Sequence, residues 1–167
     1  TGGAAGLAAK ELFSMASGLQ AVSNIDDEGV LRNLTLPLLT FKQIAGETFE
    51  RTQQAAMDLN AVIGDPNNPS SLRSSAIMLG KALNDPITGL TAMRRVGISF
   101  TQSQQDVIRS LAETGDLLGA QNMILDEMAA QFGGAAKAGV EAGVQLKNTW
   151  GDTLESFGKI GLPAIEG

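Results

Sequence analysis

The sequence contains neither cysteine nor histidine. Without cysteine the chain can form no disulfide and offers no thiolate for zinc binding or nucleophilic catalysis. Without histidine it lacks the commonest general base, the commonest protein metal ligand and the usual titrating group near neutral pH. We therefore expect no metal, no cofactor and no catalytic residue in this chain.

Aromatic residues and positive charge are also scarce. The 167 residues include one tryptophan and no tyrosine, whereas proteins that bind single-stranded nucleic acid usually stack bases on several aromatic rings. The formal net charge is −6, and the local pair Arg94-Arg95 is too small to reverse it. Because affinity for nucleic acid depends on clustered lysine and arginine, we expect no specific nucleic-acid binding.

Long apolar runs are missing as well. The longest candidate, Leu34 to Phe41, has eight residues and contains Pro37, whereas a membrane-spanning helix needs roughly 20. We expect no membrane span here, and we interpret this stretch as a helix start or a buried connector. The sequence begins with Thr1 and shows no signal-peptide pattern, so we expect a segment of a longer polypeptide.

Apolar residues recur every three or four positions along most of the chain, which is the spacing of one helix face. No segment alternates as a half-buried strand would. We predict an all-α fold of several short amphipathic helices, packed as a compact or jointed helical module without β-sheet. The stripes are Leu12, Met15, Leu19 and Val22; Phe49, Ala56, Leu59 and Ile63; Leu72, Ala76, Leu79 and Leu83; Leu90 and Met93; Val107, Ile108 and Leu111; Leu117, Ile124 and Met128; and Leu146, Trp150, Leu154 and Phe157.

Capping residues divide these stripes into separate helices. Polar N-caps, proline at the first helical position and glycine just past the end are the expected boundary signals. The predicted boundary residues are Asn24, Pro69, Asp85 with Pro86, Gly97, Thr101 with Gln104, Thr114-Gly115-Asp116, and Gly133-Gly134.

We interpret residues 1–167 as one helical segment. The run of glycine, proline and asparagine at 64–69 is the strongest break and a candidate sub-boundary. Because both flanks are amphipathic, a surface loop within one domain is the preferred interpretation. Residues 135–167 form a small-residue-rich helical extension.

Three short motifs suggest chemistry or modification. The acidic run Asp26-Asp27-Glu28 lacks the alternating ligands and central glycine of a calcium loop, so the first turn of a solvated helix is the better interpretation. Glu155-Ser156 resembles the Glu-Ser pair of lytic transglycosylases, but the expected glycine-rich groove motif does not follow. The sequon Asn33-Leu34-Thr35 has no secretory signal to support it.

Residues 104–114 and 116–132 have the layout of a helix-turn-helix. A recognition helix would present basic or amide side chains to the DNA groove. The second helix instead offers a largely acidic set, which favours two packed antiparallel helices. Its polar residues include Asp116, Gln121, Asn122, Asp126 and Glu127.

One long stretch, residues 74–134, resembles the tape measure proteins of tailed bacteriophages. The resemblance covers about 140 of the 167 residues. It includes Ser23 to Glu28 and Leu38-Leu39-Thr40-Phe41 before that stretch, and Leu146-Lys147-Asn148 and Trp150-Gly151-Asp152 after it. The motifs within it are Leu79-Gly80-Lys81-Ala82-Leu83-Asn84-Asp85-Pro86, Arg95-Val96-Gly97-Ile98-Ser99-Phe100-Thr101, Glu113-Thr114-Gly115-Asp116, Gly119-Ala120-Gln121 and Phe132-Gly133-Gly134.

This resemblance implies a non-enzymatic structural part of the virion. Such proteins fill the lumen of the tail tube, set tail length during assembly and leave ahead of the DNA at infection. The implied partners are the tail tube protein, tail tip or baseplate proteins, tail assembly chaperones and further copies of the chain, with a trimer expected. The implied locations are the tail lumen and, during assembly, the host cytoplasm.

Two other functions stay open. The chain could be a helical adaptor that binds assembly chaperones through an apolar face. It could also be a domain associated with a cell-wall hydrolase, for which Glu155 is the one acid that can be named. The 20 glycines lower helix stability and suggest partial unfolding during passage through the tube.

Overall fold

The computed structural model describes residues 7–161, with side chains described for residues 7–145, 148, 149 and 152. This part of the chain is all-α, as the sequence predicts, and contains no strand. None of its helices is both long and apolar enough to cross a membrane. The elements are α1 (Ala9–Gln20), α2 (Asp27–Val30), a π-helical segment (Leu31–Thr35), α3 (Leu36–Leu38), α4 (Gly46–Ile63), α5 (Pro69–Asn84), α6 (Pro86–Arg95), α7 (Gln102–Glu113), α8 (Leu117–Phe132) and α9 (Ala135–Gly161).

Pro37 accounts for the π-helical segment between α2 and α3. Proline has no N–H to donate to the preceding turn, and its ring crowds the carbonyl there. The backbone widens, so that the Leu36 N–H donates to the Leu31 carbonyl five residues back. The Arg32 carbonyl accepts instead from the Arg73 guanidinium of α5, at 3.4 Å. The stretch from Leu34 to Phe41 is thus helical as far as Leu38.

The start of α2 differs from the prediction. Asp26, not Asn24, is the N-cap, and its carboxylate accepts from the Gly29 N–H at 3.1 Å. Asn24 lies outside the helix, where its side-chain amide donates to the Asn67 side chain at 2.8 Å. Both residue types are good caps. The Ser23 hydroxyl accepts from the Ile25 N–H, and the helix begins two residues later than the sequence suggests.

Helix α4 lies at the centre of the fold. It packs against α5, α8 and α9 and against the π-helical segment. Three of its four predicted core residues, Phe49, Ala56 and Leu59, are fully buried, and all four of the α5 stripe are buried too. The other fully buried large side chains are Leu34, Leu38, Ile44, Leu72, Leu79, Leu83, Met93, Ile98, Ile108 and Ile124.

Among the described side chains, two residues predicted to face the core are exposed; the predicted stripe of Leu146, Trp150, Leu154 and Phe157 lies outside the described side chains. Ile63 is the last residue of α4 and borders the exposed loop 64–69, so 43% of its surface meets solvent. Val107 is 45% exposed because its neighbour Ile108 occupies the buried side of α7. Successive helix residues differ by about 100° in direction, so the narrow contact of α7 buries only one of the two.

The predicted boundaries of the later helices are confirmed. Asp85 and Asp116 accept from backbone N–H groups of the turns that follow them, and Thr101 forms a capping box with Gln104. Gly97 and Gly115 adopt φ angles of +91° and +88°, which glycine reaches without steric cost. The loop 64–69 is exposed, and α4 and α5, which it joins, pack against each other.

Two buried glycines allow close packing around α5. A Cβ atom on Gly80 would lie 2.3 Å from the Phe41 ring. One on Gly89 would lie 2.4 Å from the Ala82 Cα and 2.7 Å from its carbonyl oxygen. The close contact between α5 and α6 therefore requires glycine at position 89.

Candidate functional site

The acidic run Asp26-Asp27-Glu28 is part of the helix start and not a metal site. Asp26 caps α2, and the Asp27 carboxylate accepts from the Glu28 N–H at 2.8 Å. Glu28 forms an exposed ion pair with Arg32 one turn later, at 2.5 Å. Within the described residues no group of three acidic, histidine or cysteine side chains could hold a metal ion.

Of the other two short motifs, the sequon has a buried threonine, and the Glu-Ser pair lies outside the described side chains. In the sequon, Thr35 is fully buried and donates its hydroxyl hydrogen to Gln53 Oε1 at 2.6 Å. The Asn33 side chain donates to the Gly29 carbonyl. Glu155-Ser156 lies on the backbone of α9, but both side chains fall outside the described ones.

The α7–α8 pair is an antiparallel hairpin. Gln104 near the start of α7 donates to Glu127 near the end of α8, and the Gln131 side chain bonds to the backbone of Ser99. Every polar α8 side chain that could have marked a recognition helix takes part in an internal bond. Asp116 caps α8, Gln121 is buried, Asn122 and Asp126 accept from Arg51, and Glu127 accepts from Gln104 and Gln131.

Gln121 links three separate parts of the chain. Its side-chain amide donates to the Gln43 carbonyl at 2.9 Å and to the Leu83 carbonyl at 3.1 Å. These carbonyls belong to the connector before α4 and to the end of α5. Because Gln121 is 2% exposed, its side chain holds these segments together and is not accessible to a ligand. We call such a residue a structural tie.

A polar surface cavity surrounds Arg51. It has a volume of about 440 Å³ and is lined by Glu47, Asn122 and Asp126 among others. The Arg51 guanidinium donates to Asn122 at 3.0 Å and to Asp126 at 2.5 Å. Both terminal nitrogens of Arg51 therefore already donate to protein side chains. The cavity is bordered by this ion pair between α4 and α8.

The junction between α8 and α9 lacks a capping side chain of its own. Gly133 and Gly134 join the two helices, and Gly134 adopts a φ of +82°. The Gly134 carbonyl accepts the first α9 bond, from Ala138, so a residue without a side chain occupies the N-cap. The missing cap comes from α4, where Asp58 Oδ1 accepts from the Ala136 N–H at 3.0 Å.

Asp58 is buried, with 3% of its surface exposed. Asp58 also accepts from Gln54 of the same helix, whose side-chain amide donates to Oδ2 at 3.3 Å. A carboxylate at a helix N-terminus interacts favourably with the helix dipole as well as with the free N–H. The bond therefore ties the first turn of α9 to the centre of the fold.

A small cavity lies beside the same contact. Its volume is about 70 Å³, and Met57, Ala61, Ala136 and Val140 are among its lining residues. The first two turns of α9 thus lie along the C-terminal half of α4 without filling the space between them. Such a gap forfeits dispersion contacts on both sides.

In the part of α9 after Val140, side chains are described for residues 141–145, 148, 149 and 152. All of its described side chains from Glu141 onward are exposed, and Ala136 is the one buried residue among those described in this helix. The backbone continues as helix to Gly161. The part after Val140 is about 30 Å long at 1.5 Å per residue.

Sequence reasoning did not identify Asp58 or Gln121 as structural ties. Asp58 and Gln121 each lie next to apolar residues of a helix. A polar residue in such a position is a candidate for burial, and a buried polar group needs a hydrogen-bond partner. The partners lie 78 positions away for both Asp58 with Ala136 and Gln121 with Gln43. No local pattern connects such distant positions.

Comparisons with known protein families, with curated proteins and with solved structures found no match to this chain.

Proposed function

We propose that the chain is a non-enzymatic structural segment of a phage tape measure protein, which fills the tail tube, sets its length and is released ahead of the DNA. The observation that carries the proposal is the ordered series of motifs between residues 74 and 134. Every buried side-chain polar atom among the described residues has a hydrogen-bond partner. Such pairing is the rule in well-packed proteins of any function, so it is compatible with a structural module.

The proposed partners are those of a tail under assembly: the tail tube protein, tip or baseplate proteins, assembly chaperones and further copies of the chain. The exposed part of α9 is the surface best suited to such contacts, because it is helical and uncovered along its described side chains. The proposed location is the tail lumen, after assembly in the host cytoplasm.

The test uses the organism that encodes the chain and its parent gene. After induction of particle production, mass spectrometry of purified tails should detect peptides from residues 7–161. Removing the codons for these residues in frame should shorten the tail, and duplicating them should lengthen it. The change would be about 1.5 Å for each residue if the segment lies in the tube as extended helix, and less if it stays folded.

A helical adaptor is the second candidate, and the exposed surface of α9 favours it. For an adaptor the same deletion would reduce the number of completed particles while leaving the length of the remaining tails unchanged. Tails of unchanged length and number that lack these peptides would contradict both functions. A cell-wall hydrolase function would instead require fragment release from peptidoglycan that is lost in Glu155→Gln.

A further inference from the structure

We propose that α9 is a detachable arm, that Gly133-Gly134 is its hinge, and that the Asp58 carboxylate is the latch holding it to α4. The term arm denotes Ala135–Gly161, and the term body denotes residues 7–132. The device belongs to this chain whether or not it is part of a phage tail.

The first argument is the small contact between arm and body. Ala136 is the one buried residue among the described side chains of the arm, and Val140 is partly buried. An alanine buries little apolar surface, and the cavity of about 70 Å³ reduces the contact further. Among the described side chains, the arm therefore buries less apolar surface than α5 or α8 does.

The second argument is the position of the Asp58 bond. Ala136 N–H lacks an acceptor within α9, as do the other N–H groups of a first helical turn. Its acceptor, Asp58 Oδ1, is buried and comes from another helix, at 3.0 Å. Bonds to charged acceptors are stronger than neutral ones. Since the described side chains of the arm make only a small apolar contact, this single bond contributes a large share of the attachment there.

The third argument is the link itself. Gly134 holds a φ of +82°, and a Cβ added there would meet nothing within 4 Å. Glycine at such a position can move to other backbone conformations at little cost. Two consecutive glycines let the arm rotate about its base without disturbing the end of α8 at Phe132.

When the arm detaches, it uncovers the apolar side of its cavity, including Ile25 and Met57. The Asp58 carboxylate becomes accessible to water at the same time. Water can then hydrogen-bond both the carboxylate and the freed N–H, so the open state leaves neither group unsatisfied. The closed and open states are therefore separated by a modest difference in free energy.

Spin-label distance measurement on the full chain tests the latch. The sequence has no cysteine, so labels can be placed at Ser103→Cys in α7 and Asn148→Cys in the arm, both of which are exposed positions. The doubly labelled chain with Asp58 intact should give one main distance between the two labels. In Asp58→Ala the ratio of the broad, detached population to the docked one should rise about tenfold or more, as loss of one buried hydrogen bond implies.

Thr35→Val is the matched control. It removes the buried hydroxyl that donates to Gln53 in the body and touches no part of the arm. It should leave the main distance unchanged. An unchanged distance distribution in Asp58→Ala, or equal broadening in Thr35→Val, would overturn the latch.

Hydrogen exchange gives an independent reading if Asp58→Ala fails to fold. In the unmodified chain, amides of residues 139–145 should exchange faster than those in the middle of α4. Asp58→Asn, which keeps an oxygen acceptor without the charge, should accelerate exchange in the arm alone. Equal protection of the arm and α4, or acceleration spread over the whole chain, would refute a detachable arm.

Discussion

The body and the arm are built from the same kinds of residue but use them differently. In the body, Gly89 is needed because any side chain would collide with Ala82. In the arm, a Cβ on Gly139 or Gly143 would meet nothing within 4 Å. Glycine thus permits close packing in one region and, in the other, lowers the stability of a helix that has little else to support it.

The two regions also differ in how their helices begin. Helix α7 carries its own cap, because Thr101 and Gln104 lie next to each other on its first turn. The arm begins at a glycine and depends on Asp58 from the middle of α4. A helix capped by its own sequence is stabilised locally, whereas one capped from a distance is stabilised only while the two parts are in contact.

The largest expected difference concerns core packing. Phe49→Ala in α4 removes a fully buried ring and should lower the free energy of unfolding by about 3–5 kcal/mol. Val144→Ala in the arm removes a side chain that is 54% exposed and should change it by less than about 0.5 kcal/mol. Urea unfolding followed by circular dichroism measures both, and similar losses would show that the arm is part of the core.

Gln121→Ala should destabilise the body by about 1–3 kcal/mol, because the Leu83 and Gln43 carbonyls lose their shared donor. Gln145→Ala, at an exposed position of the arm, is the control and should have almost no effect. Urea midpoints of the two variants give the comparison. Equal midpoints would mean that water replaces the amide of Gln121.

Two glycine substitutions should change the stability of the protein in opposite directions. Gly89→Ala should destabilise the protein by about 1–3 kcal/mol, since backbone atoms of Ala82 must move. Gly139→Ala should stabilise the arm helix by about 0.5–1 kcal/mol, because alanine favours helix and meets no neighbour. Thermal unfolding and helical content by circular dichroism distinguish the two, and destabilisation by Gly139→Ala would show that the arm packs more tightly than its contacts indicate.

The smallest expected loss of stability, apart from the control variants, is at the start of α7. Thr101→Ala removes the capping hydroxyl that accepts from the Gln104 N–H and should cost about 1 kcal/mol. Ser103→Ala on the same turn is the control and should be neutral. Hydrogen exchange should show faster opening in the first turn of α7 and no change in the arm, and a change in the arm would contradict local capping.

Most helix boundaries could be predicted because their signals are local. Asp85 with Pro86, the Thr101–Gln104 box and Gly97 each act within one turn of chain. The errors arose where neighbouring residues competed for the same role. Asn24 and Asp26 are both good caps, and Val107 and Ile108 are both apolar, so only the packing of the helices decides which of each pair is used.

The sequence by itself determined the all-α fold of the described chain, since helical periodicity, caps and breakers agree along nearly its whole length. It also excluded disulfides and cysteine or histidine chemistry by composition alone. Only the tertiary structure decided that α4 is central, that Gln121 ties three segments together, and that Asp58 caps a helix 78 positions away. These features depend on contacts between residues far apart in the chain, and the physical rules that act within one helical turn carry no information about them.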